Sequence, residues 1–217
     1  MLDIDLCVVT ARSARHACAH LEVARAALAG GAGMVQLRDK ELGTRALVAL
    51  GEEMSRLLRP HGVLLVVNDR VDVALAVGAD GVHVGDEDMP VALARRLLGP
   101  QAIIGVSVAT PEQAQAAARE GASYVSASAV FPTPSKADAG EPIGLAAVRA
   151  IRAAVGLPLL AIGGITVHNV GEVIAAGADG VAVISAVTEA EDMAQATAAL
   201  RQAVREARRR RDAGVNA

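Results

Sequence analysis

The 217-residue chain has room for one large domain or two small ones. It is 53% apolar but only 1% aromatic (Tyr124 and Phe131), so its core is built from Ala, Val, Leu and Ile. A formal net charge of −3 gives no general attraction for a polyanion, and two aromatic residues offer no platform for stacking bases, so nucleic acid is not an expected partner. Acids in the opening Met-Leu-Asp-Ile-Asp, apolar runs broken by Gly, Asp or Arg, and two badly spaced cysteines, Cys7 and Cys18, predict a cytoplasmic protein with reduced thiols and no membrane contact.

In chain order, a strand over 6–10 leads to a helix near 17–29. His16, Cys18 and His20 share one face there; with no acid beside them they read as surface or half-buried residues rather than metal ligands. The next strand, Met-Val-Gln-Leu, ends at Arg38-Asp39-Lys40 and is followed by a helix over 45–58. A strand over 64–68 stops at Asn68-Asp69, a short helix over 71–77 follows, and a strand over 82–84 stops at Gly85-Asp86-Glu87-Asp88. Parallel neighbours lie about 4.8 Å apart, so carboxylates beyond both ends can reach one hard cation such as Mg²⁺ carrying a phosphorylated substrate. Turn-starting and capping roles would explain the same Asn and Asp residues.

Further on, helices near 91–98 and 111–120 flank a strand over 103–107, and Pro90 and Pro111 sit where a first helical turn tolerates proline. A strand from Tyr124-Val125 runs toward Phe131-Pro132-Thr133-Pro134-Ser135-Lys136. A helix over 145–155, a strand over 159–162, a helix over 167–176, a strand from Val181 and a helix over 192–208 complete the chain. Arg208–Arg211 read as the start of a short, solvated basic tail near 208–217 whose charge suits a helix C-terminus.

A repeat organises these elements. Gly-Ala-x-x-Val begins at Gly31, Gly78, Gly121 and Gly177, each time after an Ala-rich helix and before an apolar run. The physical sense is a helix closed by glycine, a tight turn and a buried parallel strand. The intervals are roughly twice the ~20–30 residues of one βα unit, so each holds two units. Eight units over 1–217 predict a single-domain (β/α)₈ TIM barrel, with an open doubly wound sheet as the alternative.

In a barrel the polar residues just after the strands gather on one face. One side collects Arg38, Lys40, Lys136 and two acids, a set suited to a diphosphate and a metal. The other pairs Gly163-Gly164 with Ile184-Ser185, where barrels bind phosphate through backbone N–H groups. Two phosphate sites imply two phosphorylated small molecules. His83, within a strand, reads as an interior histidine, and no Ser-His-Asp or Cys-His set assembles on this face.

These residues, taken together and in order, resemble the thiamine-phosphate synthase family over essentially the whole chain. The matching motifs are Gln36-Leu37-Arg38-Asp39-Lys40, Asn68-Asp69-Arg70, Gly81-Val82-His83-Val84-Gly85 through Asp88, Gly105-Val106-Ser107, Pro132-Thr133-Pro134-Ser135-Lys136, Ile162-Gly163-Gly164-Ile165 and Ile184-Ser185-Ala186. The resemblance implies a transferase that joins 4-amino-2-methyl-5-hydroxymethylpyrimidine diphosphate to a thiazole phosphate, without a protein nucleophile. It implies Asp69 and Asp88 as Mg²⁺ ligands and Arg38, Lys40, Asn68 and Lys136 as diphosphate groups, with Arg38, Lys40, Lys136 and Ser107 carrying the chemistry. Gln36 and Ser107 would contact the pyrimidine, and Thr133, Ser135, Gly164, Ile184 and Ser185 the thiazole phosphate. The chain departs from the family pattern at Cys7, Ala11, Ala109 and Ser126-Ala127-Ser128-Ala129, the last standing where the family has Gly-x-Gly-Pro. A thiazole tautomerase-like enzyme and a non-catalytic regulatory barrel binding the same phosphates are the alternatives, and a homo-oligomer is compatible with all three.

Overall fold

The computed structural model describes residues 4–11, 20–135 and 140–214. Its strands are β1 (Leu6–Val9), β2 (Met34–Leu37), β3 (Leu64–Asn68), β4 (Gly81–Val84), β5 (Ile103–Val108), β6 (Tyr124–Ser128), β7 (Leu159–Ile162) and β8 (Gly180–Val183). Each pairs in parallel with its successor, and β8 returns to β1 with Leu6 opposite Val181 and Val8 opposite Val183. That last pairing closes the barrel and removes the open-sheet alternative.

The helices are α1 (His20–Ala29), α2 (Thr44–Leu58), α3 (Val71–Ala76), α4 (Val91–Leu98), α5 (Pro111–Glu120), α6 (Gly144–Ala154), α7 (Val170–Ala175), α8 (Ser185–Thr188) and α9 (Met193–Asp212). None among the described residues is long and apolar enough to cross a membrane. Glycines 31, 78, 121 and 177 all have positive φ, as a helix-closing role requires. At α5 the expected proline start is present, with a reciprocal capping box between Thr110 and Gln113.

Strand alternation sorts the apolar residues into two layers. Leu6 and Val8 join the large cluster between strands and helices, whereas Cys7 and Val9 point inward beside Met34, Val66, Tyr124 and Leu160. Tyr124 fills the interior because β5 offers Gly105 opposite it: a Cβ at Gly105 would lie 2.1 Å from Tyr124 Cζ.

Three expectations change. The basic run is helix rather than tail as far as Asp212. Arg205 Nε and Arg208 Nη1 both hold the Asp5 carboxylate, the former at 3.0 Å, and Arg211 Nη1 donates to the Ala178 carbonyl at 2.8 Å. The run therefore fastens α9 beneath β1 and β8. His20 is buried rather than surface or half-buried, while His16 and Cys18 lie outside the described residues. Finally, α7 begins at Val170 because Asn169 Oδ1 accepts the Thr166 N–H at 2.8 Å and holds a turn there.

Candidate active site

The C-terminal ends of β2 to β5 surround a cavity of about 310 Å³. Arg38, Lys40, Asn68, Asp69, His83, Asp88, Ser107 and Ser128 are among the residues that line it. Asp69 reaches it through a distorted backbone. Its φ is 62°, the Arg70 N–H turns back to the Asn68 carbonyl at 2.7 Å, and its own N–H donates to the His83 carbonyl at 2.8 Å. This is a γ-turn directly after β3, and it sends the backbone away from the strand while the Asp69 carboxylate stays at the mouth. Asp88 is held differently, with Oδ2 accepting the Gly85 N–H at 2.8 Å.

The two carboxylates face each other. Burial, then the hydrogen bond that protonated Asp69 donates to Asp88, then the Asp88 charge, push the Asp69 carboxyl from its ordinary 3.8 up to about 6, although Lys40 and Arg38 pull the other way. Among the described residues no group of three or more His, Cys, Asp or Glu side chains converges as a metal cage. Two carboxylates beside two cations leave most of a cation's shell to water and to ligand oxygens.

The neighbouring acids divide. Arg70 turns outward to Asp72, at 2.6–2.8 Å, and to Thr44 at 2.9 Å. Asp80 accepts the Leu65 N–H at 2.8 Å and is structural, as is Asp72. Asp86 accepts from Gln113 Nε2 at 3.1 Å, which ties the β4–α4 loop to the start of α5; Glu87 stays exposed on the cavity wall.

Beneath the cavity runs a polar line inside the barrel. His83 Nε2 lies 2.9 Å from Ser107 Oγ, and His83 Nδ1 lies 2.9 Å from the Tyr124 hydroxyl, which also bonds the Gln36 side chain. Complete burial drives the Tyr124 pKa well above its ordinary value, with Cys7 adding to it, so the phenol stays a neutral partner. His83 is the interior histidine expected. Gln36 is buried in the barrel interior and does not line the cavity; it lies beneath it, bonded to Tyr124.

A second, much narrower pocket of about 20 Å³ lies at the ends of β6 to β8. It is lined by Ser128, Thr133, Ser135, Gly163, Gly164, Ile184 and Ser185, among others. Gly163 and Gly164 have φ of 106° and 63°, and side chains there would strike Ala129 and Pro132 at 2.6 Å. The pair thus lets the β6 and β7 loops pack into one wall. Ser135 and Ser185 hydroxyls meet at 2.9 Å across it. Ser185, expected just after the last strand, follows β8 as the first residue of α8. Ser128 lines both pockets. Lys136 lies outside the described residues.

The sequence reading missed Tyr124 and the partners of His83, which are 41 and 24 residues away along the chain. The one available signal was strand parity, which puts Tyr124, Ser126 and Ser128 on the same inward face of β6.

Comparison with known proteins gives a consistent picture. A family model described as thiamine monophosphate synthase matches residues 6–187. A thiamine-phosphate synthase of Roseiflexus castenholzii is 58% identical over 89% of this chain and 85% of its own length, and one of Moorella thermoacetica is 55% identical over 87% and 90%. Among solved structures, a thiamine phosphate pyrophosphorylase from Pyrococcus furiosus superposes with a TM-score of 0.86 at 44% identity, covering 95% of this chain and 98% of that one.

Proposed function

The chain belongs to the thiamine-phosphate synthase family, and on that premise we propose that it joins 4-amino-2-methyl-5-hydroxymethylpyrimidine diphosphate to a thiazole phosphate, yielding thiamine phosphate and diphosphate. It is a transferase acting on small molecules. The observation that carries the reading is a pair of unlike pockets at one barrel mouth, touching at Ser128. The larger has cations and paired carboxylates suited to a diphosphate. The narrower has glycine backbone and hydroxyl groups suited to a monophosphate.

We assign the diphosphate to Arg38, Lys40 and Asn68, and by family resemblance to Lys136. Ser107, on the cavity wall, and Gln36, buried beneath it, are assigned to the pyrimidine. Thr133, Ser135, Gly164, Ile184 and Ser185 are assigned to the thiazole phosphate. Asp69 and Asp88 are the residues that would hold Mg²⁺. The fit is chemical: two carboxylates close enough to share a hydrogen bond, one of them pushed up to about 6, form a donor set that a hard divalent cation relieves. When bound, Mg²⁺ supplies neutralising charge for the departing diphosphate.

The protein's own part is electrostatic and positional. Arg38 and Lys40 stabilise negative charge building on the leaving oxygen as the carbon–oxygen bond breaks. Ser107, fixed by His83, orients the pyrimidine so that its methylene cation faces the second pocket. The thiazole nitrogen then contributes its electron pair to the new carbon–nitrogen bond, with proximity replacing a protein nucleophile. A set of acids and cations around one cavity is more than a tautomerase-like or purely regulatory barrel would require. Incubating the purified protein with both substrates and Mg²⁺, and separating products by chromatography, is expected to show thiamine phosphate and diphosphate in equal amounts. Tight thiazole-phosphate binding with no product would instead support the regulatory alternative.

A further inference from the structure

The loop that carries Arg38 and Lys40 is braced from behind by three buried side chains. Thr10 follows β1, His20 opens α1, and Asp39 lies between the two cations in sequence. Thr10 is fully buried, and the side chains of His20 and Asp39 are 7% and 3% exposed. His20 Nδ1 lies 2.8 Å from Thr10 Oγ1, and Nε2 lies 3.0 Å from Asp39 Oδ2. Thr10 Oγ1 also accepts the Arg38 N–H at 3.2 Å. Asp39 Oδ1 accepts the N–H groups of Glu41 and Leu42, both at 2.8 Å.

One proton arrangement satisfies every member. Arg38 N–H donates to Thr10, the Thr10 hydroxyl donates to Nδ1, and Nε2–H donates to the Asp39 carboxylate. Hydroxyl, imidazole and carboxylate stand in the order of a nucleophilic triad. Thr10, however, is closed to solvent and takes a backbone N–H, so the ladder has nothing to attack. What it does is hold backbone.

We propose that His20 is a positioning residue for the diphosphate half of the site. Through Thr10 it fixes the backbone of Arg38, and through Asp39 it fixes the turn over 39–42 that presents Lys40. The proposal rests on the assignment of Arg38 and Lys40 to the diphosphate. A fully satisfied buried network rigidifies what it touches, and cations held in place before the reaction need no reorganisation as charge develops. Truncating His20 removes one partner from both Thr10 and Asp39 at once and loosens the tie between the loop and α1.

The test uses the full chain with His20→Ala and, separately, Thr10→Val. Calorimetric titration with inorganic diphosphate plus Mg²⁺ is compared with titration by thiazole phosphate, alongside KM for each substrate. Diphosphate binding is expected to weaken about tenfold, the scale of one lost charge-assisted contact. KM for the pyrimidine diphosphate rises in step, and thiazole-phosphate binding stays unchanged. A lower Tm with both affinities intact makes the ladder merely structural and overturns the proposal. Where His20→Ala does not fold, Thr10→Val, which keeps the side-chain shape, carries the same comparison. A wild-type protein that binds no diphosphate overturns both this role and the functional reading beneath it. Binding by wild type and variants alike overturns this role alone.

Discussion

Asp69 is the one non-glycine residue with positive φ among the described residues, and it stands where a carboxylate is most useful. Asp and Asn tolerate this conformation better than other side chains, so Asp69→Asn removes charge while keeping the γ-turn. Burial and Asp88 hold the proton on Asp69 to about pH 6 in the folded, metal-free protein, whereas the unfolded chain releases it near 3.8. The native state therefore binds more protons between those values. Its contribution to stability is present below the lower value and is lost as pH rises through the upper one. At pH 8 the ionised Asp69 of the metal-free protein works against folding, so Asp69→Asn is expected to raise the metal-free Tm; Mg²⁺ is expected to raise the Tm of the wild type and not that of the variant. Mg²⁺ binding to the wild type should release a proton near pH 6, readable by calorimetry in buffers of different ionisation heat. Mg²⁺ affinity that stays constant from roughly pH 5 to 7 would refute the assignment of this carboxylate to the metal.

The repeated helix–turn–strand element explains residues that looked merely polar in the sequence. At its third position stand Asp80, Ser123 and Asp179, and each accepts a backbone N–H from the preceding strand: that of Leu65 at 2.8 Å, of Ile104 at 3.0 Å and of Leu159 at 2.9 Å. Parallel pairing leaves these N–H groups without a ladder partner at the strand's start, and the turn side chain supplies one. Asp179→Ala strips the Leu159 N–H of this acceptor and Arg152 of a partner at 2.9 Å. The expected cost is about 1–3 kcal/mol in urea unfolding, with an unchanged m-value and full activity, because the residue lies at the opposite end of the barrel from the site. A change below about 0.5 kcal/mol would place Asp179 with ordinary surface substitutions. The element itself was readable from Gly-Ala-x-x-Val; the cross-strand bond was not, because it depends on which strand the closed barrel sets alongside. α8 escaped for a simpler reason: four residues are too few to show a helical period.

At the scale of the whole molecule, closure brings residues far apart in sequence to one mouth. Residues at or soon after strand ends, such as Arg38, Asn68, Asp69 and Asp88, were legible because strand order places them. The contacts of Thr10, His20, Tyr124 and Gln36 were not, because helix packing and side-chain reach across the interior decide those. The same closure makes β6 the divide between the two pockets, and Ser128, its last residue, lines both. On the proposed assignment, a residue at that divide borders the space the reacting atoms would share. Ser128→Val adds a branched apolar side chain there without touching Arg38, Asp69 or Ser185. Each ligand alone is then expected to bind as before, while kcat falls about 100-fold, since displacing reacting groups by as little as 1 Å has that effect. Equal losses of both single-ligand affinities would mean that the pockets do not act separately. An unchanged kcat would mean that bond formation takes place away from β6.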